Sequence, residues 1–171
     1  SQILKYHRWP DVGIGSASYE WNGQTLSADF TTQEWNYDLM PEEVFFEFGL
    51  YPSYWESTNL SCQAVVMLSK LSYWTGLSVD MNYGTSEDEG SGAYSTNVPT
   101  AFTSNWKASS SVRTAFATPP SGGIDPQYAT IKTELDAKRP WFWAGGAHAF
   151  ILDGYRDDYW YHFNWGWEGN Y

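Results

Sequence analysis

The chain has 171 residues, which suits one domain with a sizeable core, and aromatic residues make up 19% of it. Its formal net charge of −11 argues against nucleic-acid binding, because no basic excess exists to displace counterions from phosphates. A single cysteine excludes an internal disulfide and a cysteine-rich zinc site, and no apolar run reaches the length of a membrane span.

The first 41 residues predict the end of a helix followed by short aromatic segments. Residues 3–6 are typical of the last turns of a helix, which the proline of Trp9-Pro10 ends. Asn22-Gly23 separates two strand-like segments and predicts a β-hairpin. Residues 29–37 are expected to be extended, and Met40-Pro41 closes that segment.

The middle of the chain contains the strongest predicted helix. It runs from about residue 59 to 74, with Thr58 or Asn59 as its N-cap and Gly76 as its C-terminal stop. Because apolar residues occupy most of its faces, we expect this helix to be largely buried. An alternating segment at 77–83 predicts a strand after it.

The second half of the chain predicts two more helices and an antiparallel sheet. One helix is expected at 96–105, with Pro99 in its first turn, and another at 125–138, where an acid followed by proline caps the start. Three strands are then predicted, at 140–144, 148–155 and 158–164. A turn between the last two makes them an antiparallel pair, so the fold class is α+β.

His148 is the strongest candidate for chemistry. It opens an apolar strand directly after a small-residue turn, and Asn164 begins a Trp-Gly-Trp run 16 residues later. A histidine base followed by an asparagine that orients it is the order found in papain-like cysteine proteases. The amide oxygen is expected to hold one ring nitrogen and present the other to a thiol, while Trp165 excludes water. A structural histidine at a strand start remains the alternative.

The other candidates for chemistry carry weaker signals. His162 is expected to be structural, and His7 ends a helix, where a charged imidazole suits the dipole. His148, His162 and Asp153 show no ligand-spacing pattern, so no metal site is predicted. The acidic run at 87–89 is expected to be a solvated loop tip and not a calcium site.

Cys62 is an ambiguous candidate nucleophile. It falls in the first turn of a predicted helix, where the dipole favours the thiolate, and it precedes His148 and Asn164 in the order that such an enzyme requires. It fits a small buried apolar residue equally well. Spacing alone leaves both interpretations open.

Four stretches, in the same order over nearly the whole chain, resemble the streptopain family of papain-like cysteine peptidases. They are residues 1–10, 76–84, 147–154 and 164–167. The first resembles the back half of that family's nucleophile helix, and the third its Gly-His-Ala-Phe-x-x-Asp-Gly motif. The resemblance implies a papain-like α+β fold with helices packed on an antiparallel sheet. Residues 1–171 are then expected to be a partial peptidase domain, incomplete at both ends, that begins within the nucleophile helix and ends after the Asn-Trp-Gly-Trp strand.

The resemblance also implies the roles of individual residues. His148 corresponds to the general base, and Asn164 or Trp165 to the partner that orients and shields it. Ser91 looks like the residue that contacts the substrate backbone. Ala147 stands where the family has glycine before the histidine, which adds a methyl group close to the substrate.

The family's catalytic thiol lies about two helical turns upstream of Ser1, so the resemblance implies that Cys62 is a buried structural residue, far from His148. The expected function is part of a bacterial cysteine endopeptidase, secreted or at the cell surface. It needs no cofactor, acts on proteins or peptides, and is restrained by a pro-segment or a protein inhibitor. Two alternatives are an inactive homologue that serves as a binding or inhibitory module, and an aromatic-rich carbohydrate-binding domain.

Overall fold

The computed structural model describes residues 1–41, 46–48, 55–57, 61–86, 90–109, 127–145, 147–156 and 160–166. The chain divides into two compact units, one of Ser1 and Ile3–Arg113 and the other of Gln2 and Thr114–Tyr171. Helices and antiparallel sheets occur in both parts of the chain, which confirms the predicted α+β class.

The described residues before position 110 form helices and short antiparallel hairpins. In chain order the helices and strands are α1 (Gln2–His7), β1 (Ser16–Trp21), β2 (Gln24–Asp29), β3 (Phe46–Phe48), β4 (Trp55–Ser57), α2 (Cys62–Leu77) and α3 (Asn97–Ser104). Strand β1 pairs with β2, and β3 pairs with β4. The predicted helix at 96–105 is confirmed as α3, whereas the β3–β4 pair was not predicted.

The hairpin predicted at Asn22-Gly23 is confirmed. Trp21 pairs with Gln24, so the loop has only two residues. Both adopt left-handed backbone conformations, with φ of 46° at Asn22 and 74° at Gly23. Such a turn matches the twist of the flanking strands, and asparagine and glycine are the residues that tolerate it. The extended segment predicted directly after this hairpin is wrong at both ends. Residues 30–32 form a turn, in which the Thr32 amide donates to the Asp29 carbonyl at 3.1 Å, and residues 37–39 form a single 3-10 turn.

Four aromatic rings lie at the core of the first unit. Phe30 meets Trp74 and Trp106 edge to face, each at a centroid distance of 5.2 Å. Trp35 meets Trp74 in the same manner at 5.5 Å. The indole of Trp106 is buried, and its Nε1 donates a hydrogen bond to Ser78 Oγ at 3.1 Å. The high tryptophan content therefore serves packing in this unit.

Helix α2 has different ends from those predicted. Its first residue is Cys62, and its N-cap is Ser61, whose Oγ accepts a hydrogen bond from the Ala64 amide at 3.1 Å. The helix also continues through Gly76 to Leu77, so the predicted stop at Gly76 is wrong. A serine in the N-cap position satisfies one of the free amides of the first turn, which explains why the helix begins there.

The prediction that α2 is largely buried is also wrong. Ala64 and Leu71 are buried, but Val65 and Val66 are exposed. A helix that packs on one side buries only the side chains of that face. Where apolar residues occupy every face, those on the other faces remain in contact with water. Cys62 lies on the exposed side as well. The predicted burial of its thiol is therefore a further error.

The strand predicted at 77–83 is not formed. The amides of Val79 and Met81 both donate to the carbonyl of Gly76, at 3.2 and 3.0 Å. These hydrogen bonds fold residues 79–81 back against the C-terminal end of α2, so the chain is not extended there. Gly76 also lies against the Tyr83 hydroxyl, where a Cβ atom would collide with the ring. The glycine is thus explained by a close approach and not by a helix end.

The second unit contains one helix and one antiparallel sheet among its described residues. They are α4 (Tyr128–Asp136), β5 (Trp141–Gly145), β6 (His148–Arg156) and β7 (Trp160–Asn164). The strand order is β5-β6-β7, so the predicted antiparallel pair is confirmed as β6–β7. Three other predictions lie outside the described residues: the N-cap at 58–59, the acidic run at 87–89 and the helix cap at 125–126.

Helix α4 packs on the sheet through tyrosines. The Tyr128 ring lies 6.3 Å from that of Tyr155 and 5.9 Å from that of Tyr161, between centroids. The Tyr128 hydroxyl donates to the Arg156 carbonyl at 3.1 Å, and Ile131, three residues later in the helix, is fully buried. None of the helices formed by the described residues is long and apolar enough to span a membrane.

Candidate active site

His148 lies at the start of the central strand of the second unit. It pairs across the sheet with Gly145, the last residue of β5, and its side chain is half-buried. Ala147, directly before it, has a φ of 62°. This left-handed conformation is costly for alanine, at roughly 1–2 kcal/mol, and it turns the chain sharply into β6. The imidazole is therefore fixed at the corner where the β5–β6 connection ends.

The imidazole of His148 is held by Trp165. Nε2 lies 3.0 Å from the main-chain carbonyl oxygen of Trp165, and the two rings stack at 6.2 Å with an angle of 20° between them. A carbonyl oxygen can only accept a hydrogen bond, so Nε2 carries the proton and Nδ1 is the basic nitrogen. The predicted meeting of His148 with the Asn164–Trp165 corner is confirmed.

Further aromatic rings support this pair on the same face of the sheet. The Phe150 ring lies 4.4 Å from that of Trp165 and 6.0 Å from that of His148. Phe163 contacts Phe150 edge to face at 5.2 Å. Alternate residues of a strand share a face, which brings His148 and Phe150 together from one strand. The packing keeps water from one side of the imidazole and limits its rotation.

The side chain of Asn164 does not act as predicted. Its Oδ1 accepts a hydrogen bond from the Gly166 amide at 3.0 Å. The Nε2 atom of His148 is held instead by the main-chain carbonyl of Trp165. Asn164 pairs with Ile151, whose side chain lies on the opposite face of the sheet from those of His148 and Phe150. The side chain of Asn164 therefore lies on that opposite face as well. The asparagine closes a tight turn that directs the Trp165 main chain toward the imidazole.

Ser91 belongs to the first unit. Its Oγ accepts a hydrogen bond from the Gly84 amide at 3.1 Å. The neighbouring Gly92 exchanges two main-chain bonds with Asn82, at 2.8 and 2.9 Å. These contacts join two segments of chain as a narrow antiparallel link, although Ser91 itself is exposed.

The β1–β2 hairpin holds the main chain beside Ser91, and nothing in the sequence pattern indicated this. Tyr19 donates its hydroxyl proton to the Met81 carbonyl at 2.8 Å, and Trp21 Nε1 donates to the Tyr83 carbonyl at 3.2 Å. Burial, with two neighbouring tyrosines, raises the pKa of Tyr83 to about 12. The phenol therefore stays protonated near neutral pH, and its hydroxyl donates to the Tyr73 carbonyl at 3.2 Å.

His162 makes a close contact that sequence reasoning missed. Its Nδ1 lies 2.5 Å from Asp153 Oδ1 on the neighbouring strand. The strand register shifts at this point, between Leu152 and Gly154. Among the described residues, no group of three His, Cys, Asp or Glu side chains is arranged to hold a metal ion. The sequence carries no signal for this pair, because Asp153 and His162 lie on different strands and meet only through the shifted register.

The sequence matches the Peptidase C10 family over residues 1–171. The chain belongs to this family of cysteine peptidases. It is 30% identical to streptopain of Streptococcus pyogenes serotype M1 over 183 residues, an alignment that covers 99% of this chain and 41% of streptopain. It is 29% identical to the thiol protease/hemagglutinin PrtT of Porphyromonas gingivalis, with 98% of this chain and 18% of that protein covered. The chain thus spans less than half the length of these bacterial relatives.

Two solved structures confirm the papain-like fold of this member of the Peptidase C10 family. The prointerpain A fragment of Prevotella intermedia superposes with a TM-score of 0.72 at 25% identity, covering 98% of this chain and 51% of that one. Active wild-type interpain A, a cysteine protease of the same organism, gives a TM-score of 0.70 at 25% identity, with 98% and 67% covered.

In this member of the Peptidase C10 family, four of the five predicted site residues lie together in the second unit. They are Ala147, His148, Asn164 and Trp165, whereas Ser91 lies in the first unit. The aromatic rings beside His148 do not form one coplanar row, because Phe150 is inclined by 46° to Trp165 and by 86° to Phe163. A carbohydrate platform requires coplanar exposed rings, so this packing does not favour that alternative.

Proposed function

We propose that this chain is part of a secreted bacterial cysteine endopeptidase in which His148 is the general base. The observation that carries the proposal is the hydrogen bond between His148 Nε2 and the Trp165 carbonyl, at 3.0 Å. It leaves Nδ1 as the nitrogen that takes a proton from a thiol. Membership of a cysteine peptidase family supplies the reaction class.

The proposed reaction begins with proton transfer from a cysteine thiol to His148 Nδ1. The thiolate then attacks the peptide carbonyl, and the imidazolium returns the proton to the departing amine. Water, activated by the same nitrogen, hydrolyses the acyl-enzyme. The proton on Nε2 stays in its bond to Trp165 throughout, so the ring charges and discharges without turning.

The nucleophile in this proposal lies upstream of Ser1, on the continuation of α1, and not at Cys62. We assign Asn164 to the turn that aims the Trp165 carbonyl, and Trp165 to orienting and shielding the ring. Ser91 and Ala147 are proposed to border the bound substrate backbone. Residues 1–171 are proposed to be part of a single peptidase domain that is longer than this chain.

Proteins or peptides are the proposed substrates, and no cofactor is needed for the steps described. A solved relative is a pro-form, prointerpain A. This supports a pro-segment as the partner that restrains the complete protein before activation.

The deciding experiment uses the complete protein, extended upstream to include the family's thiol. His148→Ala is expected to lower kcat by at least about a thousandfold, as removal of any member of a nucleophile–base unit does. Cys62→Ala is the matched control, because it removes the thiol that this chain does contain. Activity that survives in His148→Ala, or that is lost in Cys62→Ala, would contradict the proposal. A complete protein that binds peptides and never cleaves them would identify an inactive homologue.

A further inference from the structure

The pairing of β6 with β7 contains one irregularity. Where β6 ends and β7 begins, the opposite residues are Arg156↔Trp160, Tyr155↔Tyr161 and Gly154↔His162. Further along they are Leu152↔Phe163 and Ile151↔Asn164. Asp153 lies between two of these pairs and has no opposite residue in the strand pairing, so it is the extra residue of a β-bulge.

The bulge decides which face of the sheet Trp165 occupies. If the pairing that begins at Arg156↔Trp160 continued unchanged, Trp165 would lie opposite Ile151, on the face away from His148. A shift of one residue moves every following side chain to the other face. With the bulge, the Trp165 ring lies 4.4 Å from that of Phe150 and stacks on that of His148.

Two features hold the bulge in place. The extra residue, Asp153, is tied across the sheet by the contact of its Oδ1 with His162 Nδ1, at 2.5 Å. Gly154 gives the histidine room, because a Cβ atom there would lie only 3.1 Å from His162 Cβ. The His162 side chain is 73% exposed, so core packing does not impose this contact.

We infer that Asp153 and His162 are positioning residues that fix the register of β7 and thereby bring the Trp165 carbonyl to His148 Nε2. Neither residue touches the imidazole of His148. They act through the strand, by keeping Asp153 out of the ladder and Phe163 opposite Leu152. The consequence for catalysis rests on the proposed function, whereas the consequence for the His148 ring does not.

The first test uses this chain and needs no activity. The chain has three histidines, so nitrogen NMR with isotope-labelled histidine gives ring signals that single variants can assign. In the unaltered chain, His148 is expected in the Nε2–H form. In His162→Ala, its signals should move toward the average of both tautomers. Asp153→Asn retains an oxygen that accepts from Nδ1–H, so it should preserve the unaltered pattern.

A matched control comes from another exposed ion pair in the same unit. Arg139 Nε lies 2.6 Å from Glu134 Oε2, with side chains 54% and 32% exposed, against 73% for His162 and 35% for Asp153. Glu134→Ala should leave the His148 signals unchanged. Unchanged His148 signals in a folded His162→Ala would overturn the inference, as would an equal change in Glu134→Ala. Loss of folding in His162→Ala would overturn it too, since a register contact alone does not hold the unit together.

The second test measures kinetics in the complete protein with its thiol. His162→Ala is expected to lower kcat roughly 1.5- to 5-fold, the range that corresponds to an exposed pair, while KM stays nearly constant. Asp153→Asn should retain most of the kcat of the unaltered protein. A change in KM alone would contradict a role in positioning the base. If the complete protein cleaves nothing, the proposed function fails, and the NMR test still decides the role of the pair.

Discussion

The β1–β2 hairpin and the β6–β7 hairpin differ in the regularity of their strand pairing. The first pairs without interruption from Ser16↔Asp29 to Trp21↔Gln24. The second changes register once, and its candidate catalytic corner lies beyond that change. A two-residue turn encodes the first hairpin locally, since Asn-Gly demands one turn type. The second hairpin depends on a contact between its strands, which no local pattern specifies.

The two hairpins also contribute differently to the candidate site. The regular one provides side chains, Tyr19 and Trp21, that hold main-chain carbonyls near Ser91. The bulged one carries His148 on its first strand, with the Trp165 carbonyl directly after its second. A regular ladder suits a supporting role, whereas a bulge re-aims one side chain relative to another. Irregular pairing is therefore expected to affect chemistry more than stability, and regular pairing the reverse.

The largest stability effect is expected in the regular hairpin. Gly23 has a φ of 74°, and nothing lies within 4 Å of the position of an added Cβ, so Gly23→Ala tests backbone conformation alone. The left-handed conformation should cost alanine about 1–2 kcal/mol in the free energy of unfolding, measured by urea denaturation. Gly90→Ala is the control, because its site is equally open and its φ is not positive. Equal effects at both sites would refute the turn assignment.

A smaller effect is expected in the bulged hairpin. Gly154→Ala places a Cβ atom 3.1 Å from His162 Cβ, and the exposed histidine can move to relieve part of this crowding. We expect a loss of about 1 kcal/mol in the free energy of unfolding. The same change in a His162→Ala background should cost clearly less, because the crowding partner is gone. Additive losses in the double variant would show that the two positions do not interact.

The sequence was sufficient for features that local chemistry decides. Asn22-Gly23 predicted its hairpin, and the strands around His148 followed from their apolar pattern. The pairing of β6 with β7 then brought His148 to the Asn164–Trp165 corner as predicted. Short turns and alternating strands bring close in space what is close in sequence, so these predictions needed no knowledge of the rest of the chain.

The errors concern features that the rest of the chain decides. The burial of α2 depends on which stripe its unit covers, and Val65 and Val66 could not be assigned to the exposed side from an apolar run alone. The strand expected at 77–83 was lost to hydrogen bonds at the Gly76 carbonyl. The bulge at Asp153 could not be predicted from the sequence either, because the residue that Asp153 contacts, His162, lies on the other strand.

The smallest effect is expected at Cys62, whose exposure alters how the nucleophile must be tested. Cys62 is the first residue of α2 and is exposed, so Cys62→Ala should change the free energy of unfolding by less than about 0.5 kcal/mol.

Because the thiol of Cys62 is exposed, a thiol reagent should label the folded chain rapidly, and labelling alone does not identify a catalytic cysteine. In the complete protein, inhibition by an alkylating reagent should therefore be measured in the Cys62→Ala background. We expect full inhibition to persist there. Resistance to the reagent in that background would return Cys62 to consideration as the nucleophile.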